Sequence, residues 1–362
     1  MRHAWAGFCP VWAGFGESGN DSRPKTVTPS MTTPLSILDL APIAPGQTIQ
    51  QSFAASVALA QTAEKHGYER VWYAEHHNMP TIASSATSVL VGHVASQTST
   101  IRLGSGGVML PNHSPLTIAE QYGTLAELYP GRIDLGLGRA PGSDQTTARA
   151  MRRDPRASDQ FPQDVMELQA YLRDESIIPG VRAVPGAGTN VPLYILGSSL
   201  FGAGLAAALG LPYAFASHFA PGSLFEAVAT YRRDFQPSAQ LAEPYLMVAA
   251  NVIAADDAAD AAEQFDTMRR SRVRSMITRG PAAPEYSDAQ IDAFLTTTEG
   301  SRLADMMRYT AVGTPGDVRL FLDDLATTTQ ADELIVAHAS QEITARLRSV
   351  ELTAGAMIGA LA

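Results

Sequence analysis

Cysteine is almost absent from this chain. Cys9 stands alone among 362 residues, which excludes an intrachain disulfide framework and suits a reducing compartment. Lysine is nearly as scarce: Lys25 and Lys65 are the only two, so a lysine Schiff-base enzyme has no well-placed nucleophile. Basic residues never cluster beyond Arg152-Arg153 or Arg269-Arg270, and the net charge of -10 disfavours nonspecific binding to nucleic acid. No apolar run approaches the length of a membrane span, and the first residues lack a signal-peptide pattern. No serine sits in a Gly-x-Ser-x-Gly elbow, no His-Glu-x-x-His pair exists, and no two carboxylates stand at strand ends suited to glycoside hydrolysis. These absences point to a cytoplasmic protein that engages neither nucleic acid nor membrane, holds no metal, and depends little on its own acids for chemistry.

What is present is a well-stocked core: 45% of residues are hydrophobic and only 17% charged. Organisation is clearest between Arg102 and Arg139. A strand pattern over 101–109 is interrupted by Gly104, Gly106 and Gly107, a helical pattern follows over 116–128, and a second strand starts after Pro130-Gly131. Glycines at a strand's carboxyl end allow something to approach the backbone closely. Residues 1–30 show neither strand nor helix period and read as an extension outside the fold. The remainder, 31–362, reads as one domain.

Across that domain, strand patterns fall near residues 36, 72, 103, 135, 194, 215, 249 and 335, separated by helical patterns. Eight alternating strands and helices predict a (β/α)8 barrel of the TIM type, with insertions near 140–160, 179–191 and 280–310. The segment 179–191 reads as an excursion or a small hairpin, and 280–310 as two helices that interrupt the repeat. A doubly wound sheet is the alternative, although no glycine-rich phosphate loop follows the first strand.

Barrel enzymes place their chemistry where strands run into the loops that follow them. The candidates there are Asp39, Glu75 with His76 and His77, Gly106-Gly107, His113, Arg139, Gly197 to Ser199, His218 and Asn251. His76 and His77 are adjacent, so on an extended backbone only one faces a pocket. An imidazole there can move a proton near neutral pH. Arg139 either grips a phosphate or pairs with Asp144 or Glu120. Ser198 and Ser199, just before a helix, are either a phosphate seat or a plain N-cap. His218, beside Phe215 and Phe219, either lines a pocket or caps a strand. A mouth of glycines, hydroxyls, imidazoles and aromatics suits an organic cofactor that brings its own reactivity.

The segments SILDLAP, YAEHHNMP, RLGSGGVMLPNHSPL, PGRIDLGLGRAPG, LGSS and LGLPYAFASHFAP together resemble the bacterial-luciferase-like flavin monooxygenases, over about Leu35 to Ala356. The resemblance implies a luciferase-like barrel that binds FMN, or in some branches F420, at the carboxyl end. It implies reduced flavin supplied by a separate reductase, O2 as co-substrate, and a homodimer formed through the second and third helices. By motif, the family's proton-handling histidine matches His76, and its non-proline cis peptide falls on Gly106-Gly107. Its phosphate contacts match Arg139, Ser198 and Ser199, and Phe215, Phe219, His77 and His218 are expected around the substrate. The chain departs from luciferase at Gly138, where luciferase has cysteine, at Ser198, where it has glutamate, and over Leu200 to Gly204. The expected activity is oxygenation of a small, uncharged, partly apolar organic substrate. The alternatives are F420-dependent hydride transfer and a non-catalytic flavin-binding protein.

Overall fold

The chain alternates strand and helix because its apolar residues switch between a period of two and a period near four, with proline and glycine at the changes. The computed structural model describes residues 33–140, 144–154, 156–278 and 285–359. The expectation for residues 1–30 lies outside them.

Strand β1 (Leu35–Asp39) leads to helix α1 (Ile49–Lys65), and β2 (Arg70–Tyr73) leads to α2 (Thr87–Ala95). Next come β3 (Arg102–Met109), α3 (Pro115–Leu128) and β4 (Ile133–Gly138). A short helix α4 (Gln145–Ala150) precedes α5 (Phe161–Leu172), and β5 (Leu193–Gly197), α6 (Leu200–Leu209), β6 (Tyr213–Phe215) and α7 (Leu224–Asp234) restore the repeat. Strand β7 (Leu246–Ala254) is followed by three helices, α8 (Ala258–Ile277), α9 (Asp288–Leu295) and α10 (Thr298–Asp305). The chain ends with β8 (Thr310–Gly313), α11 (Pro315–Thr329), β9 (Glu333–His338) and α12 (Ile343–Met357). Local chemistry sets the helix limits. Thr48 and Gln51 form a reciprocal capping box at the start of α1, and Gly67, at φ +80, turns the chain out after it.

All pairings between strands are parallel. β1 to β7 pair in sequence, and β9 joins β7 to β1, so eight strands close a ring. This is the TIM-type barrel, and closure decides against the doubly wound sheet. The eight strands of the ring are the eight expected. The ninth, β8, was not: it pairs with Asn251–Ala254 of β7, beyond the point where β6 ends. Four residues, TAVG, are too short to show a period. The excursion at 179–191 forms no strand, so it is not a hairpin; it bends through a cis Val184–Pro185 bond and leaves Gly186 against Gly123 of α3.

The barrel is filled in layers. Its floor is polar. From β2, the Arg70 guanidinium spans the barrel, placing Nε 2.9 Å and Nη2 3.1 Å from the two oxygens of Glu333 and Nη1 2.8 Å from Asp134 and from the Tyr194 hydroxyl. Asp134 also accepts from Trp72 Nε1 at 3.1 Å and from Arg102, while Tyr245 donates to Glu333 at 2.6 Å and Ser36 donates to it as well. Burial alone would discourage the Arg70 charge, but Asp134 and Glu333 outweigh it and push its pKa up. Above this floor, Leu38, Trp72, Ala214, Met247, Ala249 and Ile335 form an apolar layer, and a larger cluster fills the space between barrel and helices.

Replacing Arg70 by Ala leaves buried Glu333 without a cation and Asp134 with Arg102 alone. We expect Arg70→Ala to lose about 3–5 kcal/mol of folding stability. Urea unfolding followed by circular dichroism will measure it, and a loss below about 1 kcal/mol would show that the floor tolerates the vacancy.

Candidate active site

The carboxyl ends of β2 and β3 are tied together by one carboxylate. Glu75, 2% exposed, receives both His77 Nε2 and His113 Nε2 on Oε1, each at 2.8 Å, and the Met109 amide on Oε2 at 3.2 Å. An ionised carboxylate only accepts, so both imidazoles are Nε2–H tautomers in this arrangement. Burial pushes the Glu75 pKa up, yet the hydrogen bonds from His113 and His77 prevail and hold it below the usual carboxylate range. Glu75, His77 and His113 also bring three potential metal-ligand atoms within 4.8 Å of one another, a grouping that the sequence spacing did not suggest. Two imidazoles that donate their Nε2 protons to the carboxylate cannot ligate through those atoms without losing them.

The bond between Gly106 and Gly107 is cis, at the position the motif comparison marked. Glycine is required around it by close approach. A Cβ on Gly106 would lie 2.7 Å from Leu38 Cδ1, and one on Gly107 would lie 2.8 Å from the Gly136 carbonyl oxygen. Strands β3 and β4 therefore come together with their backbones bare at the mouth.

At the ends of β4 and β5, Arg139 and the start of α6 converge. The exposed Arg139 guanidinium lies over the Phe201 ring, 4.0 Å from its centroid, in the first turn of α6. Among the described residues it pairs with neither Asp144 nor Glu120; Asp144 instead caps α4 by accepting from the Thr147 amide. Ser199 is the N-cap of α6, but its side chain makes no capping bond. The N-caps Thr48, Ser114, Asp144, Asp257, Ser287, Thr297 and Thr314 all do. A free hydroxyl, unsatisfied helix amides and a guanidinium thus meet at one place, the donor set that suits a phosphate. Ser198 adjoins them and is half-buried.

The ends of β6 and β7 supply the far wall. His218 is 6% exposed; its carbonyl accepts from Asn251 Nδ2 at 2.7 Å, and its ring meets Phe219 edge-on with centroids 4.9 Å apart. Burial, then the charges of Arg272 and His76, lower the His218 pKa to about 3. These three side chains therefore share one electrostatic neighbourhood, and His218 is neutral in it.

The structure brings most of the expected residues to the barrel mouth and redirects three. Phe215 is fully buried and faces outward, packing edge-on against Tyr213 in the layer between barrel and helices, so it does not line a pocket. Strand alternation explains this, since Ala214 takes the inward position. His77 is committed to Glu75 rather than to a pocket wall. Asp39 is structural, accepting from the Ala41 amide and the Ser56 hydroxyl. Sequence reasoning missed the sharing of Glu75 by two histidines and the approach of Arg272. The second left a trace: Arg272 continues the inward stripe of α8 begun by Ala261, Phe265 and Met268.

A closed parallel barrel with bare glycine strands, a donor set at a helix start and imidazoles at its carboxyl mouth defines a cofactor-dependent barrel oxidoreductase. The particular family follows from comparison. The model of the luciferase-like monooxygenases matches residues 33–331, and the chain belongs to that family. It is similar to a luciferase-like monooxygenase of Escherichia coli K12, with 50% identity over 323 residues, 89% of this chain and 96% of the relative. It is 33% identical to the N-acetyl-S-alkylcysteine monooxygenase of Bacillus subtilis, over 90% of this chain and 98% of that one. The crystal structure of apo-MsnO8 superposes with a TM-score of 0.81 at 35% identity, covering 91% of this chain and all of the other. The protein is a flavin-dependent monooxygenase that acts on a small substrate. No helix among the described residues is long and apolar enough to cross a membrane.

The buried histidines give the fold a calculable acid response. His218 and His338 both have pKa values depressed to about 3, in each case first by burial and then by neighbouring positive charge. An unfolded histidine titrates near ~6.5, so each contribution is complete above that pH and is lost as pH falls toward about 3. Stability should drop by about 1 kcal/mol per pH unit per group over this window. Urea midpoints at about pH 7, 6 and 5 should show His338→Gln with a shallower decline than the unmodified protein. Equal slopes would mean that His338 is not held neutral.

Proposed function

We propose that the cofactor is FMN, bound in reduced form, and that the enzyme transfers one atom of O2 to an organic substrate held at the barrel mouth. The observation that carries this reading is the meeting of Arg139, with no carboxylate partner among the described residues, and the unengaged Ser199 hydroxyl at the start of α6. Arg139, Ser198, Ser199 and the first amides of α6 would hold the phosphate, and the glycines at 106 and 107 leave the surface against which a flat ring can lie. Reduced FMN supplies the electrons that activate O2, one oxygen atom going to substrate and the other leaving as water.

This chain's own residues bind, orient and handle protons. Stacking on Phe201 fixes the plane of the Arg139 guanidinium above the helix start. Glu75, with His77 and His113, locks the β2 and β3 loops, and so fixes the backbone that carries His76. His218 stays neutral at the mouth, and His76, the histidine of the family motif, is the imidazole assigned to proton handling. His218 and Phe219 form apolar wall on the opposite side, which helps exclude water. The relative named for N-acetyl-S-alkylcysteine is a precedent for a small organic substrate. A separate flavin reductase, a cytoplasmic setting and a homodimer belong to the same reading. Exposed Val89 on α2 and Leu128 on α3 give the dimer apolar surface to cover.

The test is an FMN titration by fluorescence quenching, followed by O2 uptake with a generic flavin reductase and NADH. We expect saturable FMN binding, with Arg139→Ala weaker by about tenfold to a hundredfold. No FMN binding at high micromolar concentration would overturn the proposal. Binding of F420 with hydride transfer and no O2 uptake would favour the deazaflavin alternative, and flavin retention without any turnover would favour a carrier.

A further inference from the structure

Helices α8, α9 and α10 occupy the connection between β7 and β8. The inward stripe of α8 runs Ala261, Phe265, Met268 and Arg272, at helical spacings of four, three and four. Its apolar members pack with Ile253 and Ala255 at the upper end of β7, so the stripe is directed at the barrel rim before it reaches Arg272. The arginines around Arg272 all find carboxylates. Arg269 meets Asp266 at 2.8 Å, Arg270 meets Asp292 at 2.8 Å, and Arg274 meets Asp288 at 2.5 Å.

Arg272 does not. It is half-buried, and among the described residues no carboxylate lies in ion-pair range and no acceptor takes a hydrogen bond from its guanidinium. The residues that follow α8 at 279–284, RGPAAP, contain no acid that could serve. Its charge falls instead on His218, in the wall of the mouth. Arginine stays protonated at neutral pH, and withdrawing its charge from water without an anion is unfavourable. Asn251 and His218 bond to each other through side chain and backbone, which leaves Arg272, among the described residues, as a cation beside His218 without an anionic partner.

We propose that Arg272 anchors a carboxylate on the organic substrate, so that the enzyme selects anionic molecules whose apolar part enters the mouth beside His218 and Phe219. The inference rests on the flavin-monooxygenase reading of the same mouth, and it replaces the expectation of an uncharged substrate. Arg139 and Arg272 then divide two anions between them: the first faces the cofactor phosphate across β4 and β5, the second the substrate across β6 and β7.

Calorimetry with straight-chain acids from butanoate to decanoate, and with the matching amides, tests this on flavin-free and FMN-loaded protein. We expect at least one acid to bind at least about tenfold more tightly than its amide. Arg272→Gln should abolish that preference, Arg272→Lys should keep part of it, and FMN affinity should stay within about threefold of the unmodified protein in both. Equal binding of acid and amide, no acid binding in either form, or an unchanged acid preference in Arg272→Gln would overturn the proposal. So would a variant that loses FMN affinity in place of acid affinity, because the guanidinium would then serve the flavin. Failure of FMN to bind defeats the cofactor reading alone; the acid–amide difference in flavin-free protein, and its loss in Arg272→Gln, still decide the substrate anchor.

Discussion

The barrel depends on one guanidinium. Arg70 reaches from β2 to Glu333 on β9 and Asp134 on β4, strands that share no backbone hydrogen bonds with each other, and so joins separated parts of the ring through its interior. Parallel strands supply hydrogen bonds only to immediate neighbours; a cross-barrel network restrains the cross-section as well. Charges this deep are tolerable because they balance. Arg70 and Arg102 face Asp134 and Glu333, and Tyr194, Tyr245, Ser36 and Trp72 supply further hydrogen bonds. A buried ion pair is weak evidence of added stability compared with an apolar core, but breaking one is strongly unfavourable. The floor is better understood as a device for specificity of register: a one-residue slip of β2, β4 or β9 would send one of these charges outward into the apolar layer under the helices.

The opposite end of the barrel follows another rule. Floor charges are matched within the chain, whereas at the mouth Arg139 stacks on an aromatic ring and the charge of Arg272 helps to keep His218 neutral. The buried acids at the strand ends are already engaged, Glu75 by two histidines and a backbone amide and Asp39 by the Ala41 amide and the Ser56 hydroxyl. A scaffold balanced below and cationic above is what a site for anionic ligands requires. It also explains how few acids this site uses itself: the electrons come with the reduced cofactor and the oxidant is O2, while the protein contributes donors and shape.

Much of the barrel was legible because period-two strands and glycine-marked ends are local signals. Others, such as the short aromatic β2 and the continuous apolar β7, were read from composition and from their place between helical patterns. β8 offered neither signal, since Thr310–Gly313 is a strand only by virtue of the exposed side of β7 that β6 leaves unpaired. Phe215 was assigned to the pocket from its neighbours in sequence, although alternation along β6, with Ala214 inside, already directs it outward. Adjacency on the chain sets His76 and His77 apart, but that Glu75 claims His77 together with His113 from the next loop depends on the fold. Arg139 and Ser199 were legible as candidates through motif position. That Arg139 meets no carboxylate and the Ser199 side chain no helix amide among the described residues was not, because a missing pair is a property of the folded neighbourhood.

His218 shows how these levels meet. Its sequence context, between Ser217 and Phe219 after a short strand, allowed either a pocket wall or a strand cap, and the structure shows it tied to the end of β7. Its backbone carbonyl is fixed by Asn251 and its ring stands beside Phe219. Burial removes its charge, and the nearby positive groups reinforce that loss. A charged His218 would repel Arg272 and compete with it for an incoming anion. Kept neutral, it adds no further positive charge beside Arg272. The same burial that costs this histidine its proton in acid therefore sets the polarity of the mouth at neutral pH, linking the acid sensitivity of the fold to the charge of the molecule it admits.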